Sequence, residues 1–446
     1  MALKDLCLSA LAVLRLRQVE PVIVLEQLGS TLFDTAFEMV VRDRCANASE
    51  PGRSKEDSQQ KAMTDFFMVY NLIMKFTPII PALLLARMGD RGRRKAPIVT
   101  PLIGYLLSRL ALLLVVVLEL PLQVMFGAAA VFGLCGGFGA YWPGVITLAS
   151  LGSTETERSK VMMKVEFLYG SAGLVGSLVS GHLFQLYSSS LGHGTILLAF
   201  STLLYLTCLL FSIILLKVKQ VRIEDQEENY HLLSHATRNT RMDVSPAGKN
   251  IVNLVLLFAA AFLYDFAVGG AIGMLGPFVL KSPLSWTATQ VGYGNAAGCL
   301  IFLTSYVGVL VLRRCVSDET MILIGMLSFA SGIYVMSFVT TTAMFYFARA
   351  LNLFALIPMS TIRSVVSQQV PASACGTTLT LLQMTLKAAG LAYIPAFTKL
   401  YQNTLDWLPG FVFLLSSIFT VLSMIPISIV GCRRAQKQLY IRIQGD

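Results

Sequence analysis

KVKQVRIEDQEENYHLLSHATRNTRMDVSPAGKN, residues 217–250, lies near the middle of the chain and interrupts two long apolar halves. The run holds charges of both signs, two histidines and a Pro-Ala-Gly breaker. Such a composition buries too little apolar surface to form a core and is expected to stay flexible. On either side, residues 1–216 and 251–446 each read as six long apolar segments. Two helical bundles joined by one cytosolic linker suit a membrane carrier and not a soluble enzyme.

A membrane helix needs about 20 predominantly apolar residues. By that measure the expected spans are 21–41, 62–88, 96–118, 122–149, 161–186, 195–216, 251–280, 291–312, 320–338, 343–362, 376–400 and 407–430. The expected fold class is therefore an all-α membrane protein with twelve transmembrane helices. The chain is 55% hydrophobic and 13% charged, with mean hydropathy +0.67, far from soluble-protein composition. Its net charge of +10 does not point to a nucleic-acid partner, because the basic residues gather in alternate loops and at both termini. That distribution predicts cytosolic N- and C-termini. The loop 42–61 is the exception, with basic residues partly offset by acids, but its Asn47-Ala48-Ser49 sequon fits an outside location and makes Asn47 the candidate glycosylation site. Of eight cysteines only Cys45 falls in an outside loop, so no structural disulfide is expected. Arg15 and Arg17 interrupt the N-terminal run, and no cleaved signal peptide is expected.

Charged residues inside spans are the candidates for function, since each must face protein or water. The first span carries Glu26, Ser30, Asp34 and Glu38 at i+4 spacing, one slowly drifting stripe. Glu26 and Asp34 are expected to line a cavity, and Glu38 to sit at an interface. Arg109 lies well inside the third span, either as a cavity cation or snorkelling to the surface. In the fourth span, GLCGGFGAYWPG (133–144) offers small residues for packing, Tyr141 and Trp142 as ring surfaces for a solute, and a proline able to open the backbone. The fifth span repeats Gly173, Ser177 and Gly181, and Ala172, Gly176 and Ser180, every four residues, a face suited to close packing on another helix. Glu166, near its cytosolic end, is either a proton carrier or paired with Lys164 or Arg158. In the seventh span Tyr264 and Asp265 precede Gly269, Gly270, Gly273, Gly276 and Pro277, a run suited to a broken, gating helix. Arg349, Arg363, Gln383 and Lys387 follow in the tenth and eleventh spans.

LLARMGDRGRRKAP (84–97) resembles the loop signature of the major facilitator superfamily, an acid followed by a basic cluster right after a span. The resemblance implies that Asp90, Arg94 and Lys95 form contacts that hold one conformational state. The family's glycine is replaced by Arg93, with Gly92 displaced by one. Further stretches are similar to solute carrier family 46, the group that contains the proton-coupled folate transporter: Val19-Glu20-Pro21, KVEFLYGSAG (164–173), FGAAAVFGLCGGFGAYWPGV (126–145), SGHLF (180–184), VGYG (291–294), TTAMFYFARALNLFALIP (341–358), IRSVVS (362–367) and MIPISIV (424–430). The similarity covers nearly the whole chain, apart from the linker and tails. It implies that Glu166 couples protons and that Arg363 is a functional arginine, whose guanidinium can clamp an anion bidentately. It also implies folates and antifolates as substrates of one member, and bacterial muropeptides and cyclic dinucleotides of another. Two positions depart from the folate-transporting relatives: Val268 stands where they have a histidine, and Ser285 where they have a cysteine.

Titratable acids (Glu26, Asp34, Glu166, Asp265) beside bases (Lys75, Arg109, Arg349, Arg363, Lys387) suit proton-coupled import of a small organic anion. Lys387 and Arg363 attract its negative groups, and Tyr141, Trp142 and Tyr264 stack on it. Protons as the coupling ion are the only cofactor expected, the bilayer and the solute the only partners, and the monomer the expected state, at the plasma membrane. A rival from another class is a transporter-shaped receptor or scaffold that binds without turnover, which net accumulation of solute would exclude. No HExxH, P-loop or paired catalytic aspartates suggest an enzyme.

Overall fold

A computed structural model describes the backbone of residues 19–49, 51–52, 54–150, 155–191, 194–216, 247–312, 315–369 and 372–445. Most of the linker expected at 217–250 and the side chain of Asp90 lie outside the described residues. Among the described residues every regular element is helical.

Pro21 opens the first helix, α1 (Glu20–Arg44), where a missing N–H costs nothing. Ser54 caps α2 (Lys55–Phe76) by accepting from Asp57 N at 3.1 Å. Pro78 then ends that run, and α3 (Ile79–Asp90) restarts it. The loop signature turns at Gly92, whose φ of +94° suits glycine. After α4 (Ala96–Val117), the fourth span divides into α5 (Val124–Leu134) and α6 (Gly137–Ser150). The division falls at Gly136 and Gly137, both at positive φ. Pro143, the expected break, lies inside α6, so left-handed glycines and not the proline open the backbone. Two long helices, α7 (Glu155–Leu191) and α8 (Thr195–Ile214), complete a first set.

The second set comprises α9 (Ala247–Leu280), α10 (Ala288–Leu312), α11 (Asp318–Met336), α12 (Thr342–Leu351), α13 (Ile357–Gln369), α14 (Ala372–Thr404) and α15 (Phe411–Gly445). Helix occupies all twelve expected segments. Among the described residues, nine helical stretches are long and apolar enough to cross a membrane. The exceptions are α1 and α14, which carry many polar residues, and the tenth segment, which is split into α12 and α13. Large apolar side chains such as Ile80 (70% exposed) and Ile214 (68%) face outward, as a lipid-facing surface requires. The expected break in the seventh span is absent: α9 runs unbroken through its glycines. Gly270 instead lets α14 approach, since a Cβ there would stand 2.7 Å from the Phe397 ring.

Within the first set α1 packs on α7 and α8, and within the second α9 packs on α14 and α15. Between the sets the main contacts are α7 with α10 and α2 with α14. The small-residue face of α7 meets α10 closely: a Cβ on Gly181 would lie 2.5 Å from Thr289 Cα. The hydrogen bonds joining the sets gather at one end. There Lys281 Nζ meets Asp57 Oδ1 at 2.5 Å, Ser282 N donates to Glu56 Oε1 at 2.6 Å, and Lys399 Nζ meets Asp65 Oδ1 at 2.8 Å. Gln402 Nε2 donates to Thr64 Oγ1 and Asp65 Oδ1, both at 2.9 Å, and Arg42 Nη1 to Trp286 O at 3.2 Å. Away from this latch, Asp34 and Lys75 line space between the sets and are exposed to it.

Candidate functional site

A cavity of about 340 Å³ lies between α2, α9 and α14. Asn71 and Lys75, one turn apart on α2, face Asp265 on α9 and Tyr393 on α14 across it. The Asp265 carboxylate lies within electrostatic reach of Lys75 and Arg363, and the Tyr393 hydroxyl within reach of Lys75. Lys387 on α14 feels the Lys75 charge, and its Nζ lies beside Gly139 of α6, 3.7 Å from where a Cβ there would be. Two ammonium groups repel unless an anion stands near both.

Arg363 on α13 holds its guanidinium against α14. With the Gln383 amide oxygen turned toward it, Nε and Nη2 each donate at 3.1 Å. Glu166 on α7 reaches Arg363 by charge without a direct ion pair. Lys164, the alternative partner of Glu166, is bonded instead to Glu20 at 3.0 Å. The structure therefore places Lys75 and Asp265 on one cavity, with Arg363 within charge reach of Asp265 and of Glu166 from the first set, and Lys387 within charge reach of Lys75.

A second cavity, of about 410 Å³, adjoins the first and shares Asn71, Ile272 and Gly273 with it. Asp34 and Glu38 of α1 line it, opposite Asn295 of α10. Glu38, expected at an interface, is a cavity residue because its carboxylate leans on Gly276.

Five other candidates lie elsewhere. Glu26 (1% exposed) and Arg109 (3%) are core residues of the first set, not cavity lining. Arg109 stacks over Phe33 at 4.0 Å and over Tyr105 and Tyr205 at 4.7 Å, and donates to Ser30 Oγ at 3.3 Å. Tyr205 links it to Glu26, whose Oε1 accepts the phenol at 3.2 Å. Tyr141 is wholly buried against Tyr105. Tyr264 is buried too, donating its hydroxyl to Ala355 O at 2.6 Å. Both rings are enclosed by apolar packing and present no face to a solute. Trp142 is half-buried and stacks on Phe138.

Of the expected gate, Lys95 Nζ donates to Ile213 O at 3.0 Å and so caps α8 within its own set. Arg94 Nη1 is buried without a partner. Asn47 is exposed beyond α1, at the latched end. The latch itself was missed from sequence. Its signal was the pair Lys281 and Lys399, basic residues at the end where the charge pattern calls for few.

No family model matches the chain. Solute carrier family 46 member 2 of dog (Canis lupus familiaris) is 39% identical over 449 residues, covering 94% of this chain and 93% of the relative. The mouse (Mus musculus) protein of the same name is 39% identical over 457 residues, covering 96% and 94%. The human (Homo sapiens) lysosomal proton-coupled steroid conjugate and bile acid symporter SLC46A3 is 27% identical over 397 residues, covering 86% and 84%. Among solved structures, a POT family transporter in complex with 5-aminolevulinic acid superposes with TM-score 0.64 at 12% identity, covering 93% of this chain and 96% of that one. The human organic anion transporter MFSD10 (TETRAN) superposes with TM-score 0.61 at 15% identity, covering 92% and 98%. These likenesses show the fold, that of the major facilitator superfamily.

Proposed function

The chain belongs to solute carrier family 46, and from that premise we propose that it imports small organic anions by proton-coupled alternating access. Membership makes it a multi-pass membrane transporter of solutes; the anion, the proton and the direction are our reading. The observation that carries it is a cavity between the two sets lined by Lys75 and Asp265, with Arg363 within charge reach of Asp265 and Glu166, and Lys387 within charge reach of Lys75. A base lining this space and two more within charge reach of its lining favour a ligand of negative charge, and the acids offer places for a proton. The human relative named as a proton-coupled symporter of steroid conjugates and bile acids supports both halves of the reading. Folates, muropeptides and cyclic dinucleotides are all anions and are the first solutes to try.

In the mechanism, the end that carries Asn47 and the Asp57–Lys281 latch faces away from the cytosol, and the space between the sets opens toward the cytosol. Import begins when the latch parts and solute and proton enter from outside. Protonated Glu166 exerts no charge on Arg363, which frees the two sets to rock. Release inside returns the proton and restores the Glu166–Arg363 attraction. The protein resides in the plasma membrane, where an inward proton gradient drives uptake; the same orientation in a lysosomal membrane exports solute from the acidic lumen to the cytosol.

Uptake of labelled muropeptide and labelled folate into proteoliposomes, at acidic and neutral external pH, tests the proposal with Glu166→Gln run alongside. Acid-stimulated accumulation that the variant loses while still exchanging solute supports coupling through Glu166. Uptake that ignores pH, or a variant that accumulates normally, removes the coupling.

A further inference from the structure

Two thiols stand at the end of the second set opposite the latch, and the anion-holding residues make no use of them. Among the described residues the exposed cysteines are Cys315 and Cys432. Cys315 lies in the turn between α10 and α11, where its N–H donates to Leu312 O at 2.9 Å. Arg313 and Arg314 precede it. Cys432 lies on α15, just past the apolar run that ends at Val430, and Arg433 and Arg434 follow it. The fold brings these two positions, far apart in sequence, to one corner. Arg434 Nη1 donates to Glu319 Oε1, four residues after Cys315. A Cβ on Gly431, the residue before Cys432, would stand 3.6 Å from Glu319 Cβ.

Both thiols stand at the edge of a lipid-facing surface. On α15, Ile418, Val421, Leu422, Ile425 and Ile429 are exposed along one face, as contact with lipid chains requires. Seven residues make nearly two turns, so Cys432 is rotated only about 20° from Ile425 and continues that face. On α10, Val307 and Val311 are likewise exposed, and the helix ends at Leu312, shortly before Cys315. A thiol on such a surface adds nothing to packing that an aliphatic side chain would not. It adds a nucleophile at the depth where lipid chains meet headgroups. The flanking arginines favour the anionic headgroups of a cytosolic leaflet.

We propose that Cys315 and Cys432 form a paired lipid-modification site, each S-acylated with a long-chain fatty acid. The site rests on the orientation in the proposed function, which puts this end in the cytosol, where thiols stay reduced. The donor is a long-chain acyl-coenzyme A. The cysteine thiolate attacks the thioester carbonyl carbon, and a new S–C bond to the protein forms as the bond to coenzyme A breaks. The departing coenzyme A thiolate takes up the proton that the cysteine lost, and nothing is oxidised or reduced. The attached chains run along the exposed faces of α10 and α15 and hold the corner joined by Glu319 and Arg434 to the leaflet.

The test uses the full chain in cultured cells. Free thiols are blocked, thioesters are cleaved with hydroxylamine, and each thiol released takes a mass tag. The unaltered chain is expected to carry two more tags than the double variant Cys315→Ser, Cys432→Ser, and each single variant one more. Equal counts in the unaltered chain and the double variant overturn the proposal. A single variant that keeps the unaltered count removes its cysteine from the site. Orientation is read separately, with S-acylation inhibited and a membrane-impermeant maleimide as the probe. Relative to the double variant, the unaltered chain should gain label only after digitonin opens the plasma membrane. That pattern without hydroxylamine-cleavable tags overturns the acylation and leaves the orientation standing. Gain of label in intact cells overturns the orientation, and with it both the direction of transport and this site.

Discussion

Asp57 and Lys281, from opposite sets of helices, form an ion pair at 2.5 Å with both side chains nearly enclosed, at 13% and 10% exposure. Lys281 also donates to Leu405 O at 2.9 Å, and Ser54 donates to the other Asp57 oxygen at 2.6 Å. Each charge therefore has partners besides the other. Removing one member strands the second, which costs about 3–5 kcal/mol for a buried pair. Asp57→Asn is thus expected to depopulate the latched state. Distances between spin labels on the latched ends of α2 and α14 would report it as a new, longer population. A distribution unchanged from the unaltered chain would show that the pair does not hold the latch.

Gly181 contributes to the same closure without any charge. The atoms a Cβ would strike are backbone, Thr289 Cα at 2.5 Å and Ala288 O at 2.6 Å, so no side chain can rotate away. Gly181→Ala is expected to push α7 from α10 and destabilise the latched state by about 1–3 kcal/mol. Crosslinking between cysteines placed at 180 and 289 would then fall. Unaltered crosslinking would mean that the helices slide to absorb the methyl group.

Much of this architecture was legible because hydropathy and breakers act locally. The spans followed from apolar runs. The polar stripe on α1 was legible, but its facing was not. Residues four apart on a helix are rotated by about 40°, so Asp34 is turned about 80° from Glu26 and Glu38 about 120°. That drift takes Glu26 into the core of the first set while Asp34 and Glu38 reach the cavity. Tyr141 and Tyr264 misled for a related reason: an aromatic in a span lines a cavity only if its helix face does, and theirs face inward. Asp57 and Lys281 are 224 residues apart, and nothing in either local sequence names the other.

Because Arg109 and Glu26 are buried together through Tyr205, their loss should be felt in stability before transport. Arg109→Met leaves the Glu26 carboxylate without its cation and removes stacking over three rings. The expected cost is about 3–5 kcal/mol, seen as a lower unfolding temperature of the purified protein. Adding Glu26→Gln to that variant should recover part of the loss, because it removes the stranded charge. A variant that unfolds normally but no longer transports would return Arg109 to the binding residues.

Arg363 separates charge from shape. Its Nε and Nη2 both donate to the Gln383 oxygen at 3.1 Å, which fixes the plane of the guanidinium and the direction of its remaining donors. Lysine keeps the charge but is a point donor on a flexible stem and cannot reproduce that fork. A charge-assisted hydrogen bond contributes about 1.5–3 kcal/mol, so Arg363→Lys is expected to lower uptake efficiency by about tenfold or more. Gln383→Ala, which leaves the arginine but frees its orientation, should lower it in the same direction by less. Initial uptake rates over a range of solute concentrations would measure both. If Arg363→Lys transports as well as the unaltered chain, the arginine acts only as a positive charge near the membrane surface, and the geometry with Gln383 is incidental to transport.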